Sequence, residues 1–228
     1  VPVRGFFYGN SRRETFPILR SISTAEKYAV TGLVGLLQAF PDDGHAEAWD
    51  AAIRLYADYH RAIAAYTDPY FMLPAGVCDV EAAEDEIEAA KIRNGVRLSD
   101  RYYVRCFPVW TTGRGNSSVV LSRAIGLAAI ARHLDDRDLL HLAYRQIDWI
   151  LGLNPFNQSI MWGGGYRCQA LYAPLSGNIV GAIPCGVHTK FNRDAPYWPS
   201  DNWHNPKEIW VHSTSDMLWL MHYLFQED

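Results

Sequence analysis

Two helical patterns, Ser117 to His133 and Arg137 to Leu151, are separated only by Leu134-Asp135-Asp136. So short a connection leaves the two helices one arrangement, an antiparallel hairpin. Four further segments carry helical spacing. Ser23 to Phe40 opens with Ser23 three residues before Glu26, a capping box, and places Val30, Leu33, Val34 and Leu37 on one face. His45 to Tyr66 aligns Trp49, Ala52, Ile53, Tyr56 and Ile63, whereas Val80 to Arg93 is acidic and reads as a solvated surface helix. The last pattern runs from Pro206 to about Phe225, and Arg97 to Phe107 reads as an extended or hairpin insertion. Six paired helices with one loop-heavy face predict an all-α architecture of concentric hairpins, with residues 1–228 forming a single domain.

Between Gly152 and Asn205 no helix is expected, which leaves a loop of more than fifty residues. Loops of that length in compact domains usually carry function. This one is crowded with aromatics, in a chain with 8 Trp and 13 Tyr. Flat amphipathic rings suit stacking on a neutral ligand such as a sugar ring. Gly163-Gly164-Gly165 reads as a tight turn or a close backbone approach, since no Lys and no strand-turn-helix context make it a phosphate loop.

The remaining composition excludes more than it assigns. Apolar residues are 49% and charged residues 20%, ordinary for a soluble globular chain, and a net charge of −4 offers no footprint for nucleic acid or anionic lipid. No apolar run approaches the ~18 residues of a membrane span. Cys78, Cys106, Cys168 and Cys185 fit neither a metal motif nor a dense disulfide scaffold; buried free thiols are the default expectation, with one or two disulfides the alternative if the protein is exported. The start at Val1 reads as a processed or excised terminus without a visible signal peptide. His204 and His212 lack the spacing of zinc ligands on a helix, and Ser117, Ser118 and Ser122 lack a nucleophile elbow, so neither a metalloprotease nor a serine hydrolase is expected. No metal ligand set is assigned.

Glu208 is the carboxylate of most interest, in a region that holds Trp198, Trp203 and Trp210. Asn205-Pro206-Lys207-Glu208 is also a helix-start pattern, with Asn as N-cap, Pro at N1 and Glu at N3, so capping is the competing role. Trp162, Tyr166, Trp198 and Trp203 are candidate sugar platforms. His188 and Arg193 are candidate hydroxyl partners, though exposure to solvent is the simpler expectation for both. Asp201 and Asp194 are carboxylates in the same loop for which turn formation is the competing role.

Taken together, Gln146 with Leu151-Gly152-Leu153-Asn154-Pro155, then Val180-Gly181-Ala182-Ile183-Pro184, Asp194-Ala195-Pro196-Tyr197 and Glu208-Ile209-Trp210, resemble glycoside hydrolase family 9 over roughly residues 117–228. More loosely the chain resembles the six-hairpin (α/α)6 toroid glycosidases, of which six helices would be the C-terminal half. The resemblance implies inverting hydrolysis of a β-linked glucan or related polysaccharide. Glu208 would be general acid, with Trp162, Tyr166, His188, Tyr197, Trp198, Asp201 and Trp203 binding substrate. It implies no cofactor beyond a structural calcium with no assigned ligands, and a secreted or periplasmic setting. Three departures stand out: Tyr166-Arg167-Cys168-Gln169 replaces the family's His-His-Arg motif, Lys207 replaces an Asn, and no paired aspartates match upstream. The water-activating base would then come from an N-terminal segment or second chain completing the toroid. The alternatives are a non-catalytic carbohydrate-binding toroid fragment, or a structural one in which Glu208 is only a cap.

Overall fold

A computed structural model describes residues 3–7, 26–108, 115–172, 179–200 and 204–226. The helices, in chain order, are α1 Glu26–Ala39, α2 Ala46–Ala64, α3 Glu86–Arg93, α4 Ser117–Leu134, α5 Arg137–Leu151, α6 His204–Lys207 and α7 Val211–Leu224. Short strands are β1 Gly76–Asp79, β2 Val96–Arg97, β3 Tyr102–Arg105, β4 His188–Thr189 and β5 Pro196–Tyr197.

The fold is all-α in its core, an arc of helices two layers deep. One layer runs α1, α4, α7, each packed on the next; α2 and α5 lie behind, against α1 and α4 and against each other. The α4–α5 hairpin expected from the short connection is present, with Asp135 in the left-handed region and Asp136 accepting the Leu139 N–H as N-cap. The segment Ser117 to Ala131 is buried at every position, and apolar or small residues surround α4 on all sides. A helix apolar all round has to be a central one. Two of its polar side chains are paired across the layer: Ser118 and Ser213 hydroxyls meet at 2.9 Å, and Arg123 reaches Glu26 of α1. Lys27 of α1 also forms a buried ion pair with Asp216 of α7.

Several sequence expectations change. Ser23, and with it the capping box, lies outside the described residues; the Glu26 carboxylate accepts from Tyr56 and Arg123. On α2, Ile53, Tyr56 and Ile63 are buried as expected but Ala52 is exposed, and the helix tightens into a 3-10 turn at Ala65–Thr67. The acidic helix is shorter than expected. Asp85 caps α3 by accepting the Glu88 N–H, and Ala89 and Ile92 anchor it. The expected insertion belongs to an antiparallel sheet ordered β1-β3-β2, in which β1 has no clear sequence signal. The four cysteines are free thiols.

Candidate functional site

The chain reverses after α5 through side-chain to backbone bonds. Gly152 ends the helix at φ 128°, and Asn154 Nδ2 donates to the Trp149 and Gln158 carbonyls at 2.8 Å each. Gln146, fully buried, accepts the Leu73 N–H at 2.9 Å and donates to the Phe71 carbonyl at 2.8 Å. The Gln-to-Asn-Pro pattern is therefore a structural joint that pins two loops. Gly165 passes Leu151 so closely that a Cβ would lie 2.4 Å from its carbonyl oxygen, a tight turn of the kind expected of that glycine run.

The loop then builds a backbone mesh. The Trp162 N–H donates to the Ala182 carbonyl at 3.0 Å, Pro184 bridges Ile209, and the Cys185 and Gly186 N–H groups donate to Glu208 and Pro206 carbonyls. On the other side Ser117 N–H donates to the Cys185 carbonyl and Asn116 N–H to that of Val187, which ties the mesh to the start of α4. Gly186 is required at the crossing: its φ is +96°, and a Cβ there would fall 1.9 Å from Ser117 Oγ. Beyond it, β4 and β5 pair antiparallel with His188 opposite Tyr197.

Glu208 sits on the step between α6 and α7. The sequence predicts one helix from Pro206, but the chain makes a single turn, opens over Glu208 to Trp210, and starts α7 at Val211. The opening is enforced from outside, by the Pro184–Ile209 bridge and the Cys185 bond. As a result the Glu208 side chain does not cap a helix. It accepts the Trp210 indole N–H at 2.8 Å through Oε2, and Oε1 carries no protein hydrogen bond among the described residues.

The other candidates take varied positions. His188, expected to face solvent, is buried, donates from Nδ1 to the Thr189 carbonyl at 2.9 Å and meets Tyr197 edge-on at 5.1 Å. Burial holds its imidazole below the usual range, so the ring is neutral at pH 7. Trp198 is buried in the main core and Tyr197 is half-buried. Trp162 joins the mesh through backbone bonds with Gly181 and Ala182. Tyr166 is exposed and tied instead to Leu151 and Ser159, beneath the Arg167 guanidinium. Asp201 and Trp203 lie outside the described residues. Arg193, in the loop between β4 and β5, is exposed as expected, while Asp194 is fully engaged. The two Asp194 oxygens accept the Cys106 and Phe107 N–H groups at 3.0 and 2.8 Å, and Arg105 lies 3.5 Å away. Among the described residues no three His, Cys, Asp or Glu side chains gather as a metal site. No helix there is long and apolar enough to cross a membrane.

Fold and site together define an all-α protein of antiparallel helical hairpins that carries a carboxylate on the step into its last helix. No family model and no curated protein matches the chain. Among solved structures it is similar to the cellulase Cel9M of C. cellulolyticum, with 16% identity and a TM-score of 0.43 over 87% of this chain and 49% of that one. The same cellulase in complex with cellobiose gives 14% identity, a TM-score of 0.43, and 87% and 50% coverage. The chain spans about half the length of these structures.

Proposed function

We propose that this chain is part of a glycoside-hydrolase-like protein in which Glu208 donates the proton to the leaving oxygen. The observation that supports the reading is the Glu208 carboxylate itself. Among the described residues it is held by one neutral donor and Oε1 has no protein partner, and it stands on backbone fixed from two sides. Glu26 and Asp194, by contrast, are each engaged by an arginine and further donors. A β-linked glucan or related polysaccharide is the proposed substrate, with Trp162, Tyr197 and loop residues Asp201 and Trp203 along its path and His188 and Trp198 supporting the hairpin from within. Hydrolysis with inversion needs a second carboxylate ~6.5–9.5 Å from the acid, with a water between them. We assign that base to a further segment or a second chain completing the toroid, in a secreted or periplasmic protein.

The test is Glu208→Gln in the complete protein, assayed by release of reducing ends from soluble β-glucans. Loss of kcat by about two orders of magnitude or more is expected for a missing general acid. Activity within a few-fold of the parent would end the assignment. One observation favours a second reading, a glycan-binding module: Asp194, a carboxylate of the same loop, is committed to backbone and Arg105. That reading predicts oligosaccharide binding without turnover, unchanged by Glu208→Gln.

A further inference from the structure

A cleft of about 230 Å³ opens where α2 and α5 end, lined on one side by Asp194 and Pro196 of the β4–β5 hairpin. Four aromatic side chains line it. Phe107 and Trp149 are buried, and Tyr66 and Tyr70 stand nearer the mouth. The Tyr70 and Trp149 rings meet at 75° with centroids 5.9 Å apart, so they form a corner rather than a flat platform. Two carboxylates complete the lining. Asp194 is balanced by Arg105, whereas Asp68, exposed at the rim, has no ion-pair partner among the described residues. No Lys, Arg, His, Asn or Gln lines the cleft among the described residues.

That set of groups selects a ligand chemistry. A sugar ring needs donors as well as acceptors around its hydroxyls, and no amide, imidazole or guanidinium group lines this cleft among the described residues; its side-chain donors include the Tyr66 and Tyr70 hydroxyls and the Trp149 indole N–H. A cation needs neither. Ring faces carry the negative lobe of the aromatic quadrupole, and a boxed arrangement of rings beside a carboxylate attracts a weakly hydrated positive charge. We propose that this cleft binds a compact organic cation of the methylated-ammonium class, with the four rings as walls and Asp68 as counter-charge. The site is independent of Glu208 and of the reading built on it.

Calorimetric titration of the protein with choline, and with its neutral isostere 3,3-dimethyl-1-butanol, tests the assignment. Choline is expected to bind saturably and the alcohol about tenfold more weakly or worse. Tyr70→Phe keeps the ring and should keep the affinity, whereas Tyr70→Leu should weaken it about tenfold. Asp68→Asn, at an exposed position that leaves the fold intact, should also weaken choline binding and flatten its dependence on salt. Equal binding of the neutral alcohol would reduce the cleft to an apolar pocket and overturn the proposal. No saturable binding of millimolar choline would overturn it as well. So would cellobiose binding that Tyr70→Leu abolishes, since the cleft would then be a sugar site.

Discussion

Arg123 of α4 and Glu26 of α1 form a buried ion pair, Nη2 to Oε1 at 3.0 Å. The same guanidinium donates to the Pro74 and Ala75 carbonyls at 3.0 and 2.6 Å, so one side chain ties two helices to the segment entering β1. Arg123→Met would leave Glu26 facing Tyr56 and His60 without its counter-charge. Breaking one side of a buried pair costs about 3–5 kcal/mol, and urea denaturation should show a loss of that order. A loss under about 1 kcal/mol would mean that the carboxylate escapes to water, as an exposed pair would allow.

His60 makes stability sensitive to acid. Burial, with Glu26 opposing it and Arg123 adding to it, drives its imidazole down from 6.5 to about 3. The unfolded chain therefore takes up a proton that the folded one refuses, and stability falls as pH drops from about 6.5 toward 3. The slope is about 1.4 kcal/mol per pH unit at its steepest. For Glu26, burial raises the pKa, but Arg123, His60 and Tyr56 outweigh it and leave the group below 4.5. Its contribution is present above 4.5 and is lost as pH falls through the lower folded value. Asp194 and Asp216, raised by burial, act in the opposite sense, favouring the fold as pH falls. Urea midpoints of His60→Phe should vary less between pH 4.5 and 6.5 than those of the parent. Identical slopes would assign the acid sensitivity elsewhere.

Asp194→Ala should release the hairpin loop. It removes the acceptor of two backbone N–H groups and strands Arg105, whose side chain is 1% exposed. The expected cost is about 3–5 kcal/mol, with faster proteolytic cleavage between β4 and β5. Asp194→Asn, which keeps one acceptor oxygen, should cost less. Equal stability of Asp194→Ala and the parent would contradict the anchoring role.

Gly186→Ala should be among the most damaging single-methyl changes in the chain. The added carbon would overlap Ser117 Oγ and sit at a left-handed φ of +96°. The Cys185–Ser117 and Cys185–Glu208 backbone bonds stand beside it, so thermal unfolding should fall by several degrees. An unchanged Tm would show that the crossing has slack.

Periodicity made the central helices legible because α2, α4 and α5 are long enough for a 3.6-residue pattern to repeat. It overran at the last helix. Asn205-Pro206-Lys207-Glu208 has the residues of a helix start, and the local signal is genuine, but bonds from Pro184, Cys185 and Gly186 pull the backbone open at Glu208. Those partners are about twenty residues away, beyond any local pattern. The burial of His188 and Asp194 was hidden for the same reason, since it depends on β5 and on the segment after β3. Strand β1, four residues long, carries no alternation to read. The aromatic-acidic cleft assembles Tyr66, Phe107, Trp149 and Asp194 from four separate stretches, which only the folded chain brings together.

The fifteen consecutive buried residues of α4 set a clock inside the molecule. Amide protons exchange with deuterium where the chain opens locally, and those of a helix with no solvent face exchange only when everything around it comes apart. From Leu121 to Ala131, α4 has α1, α5 and α7 against it and no free flank from which to fray. Its slowest amides will therefore report the free energy of global unfolding, and the exchange rates of every other helix can be ranked against that interior standard.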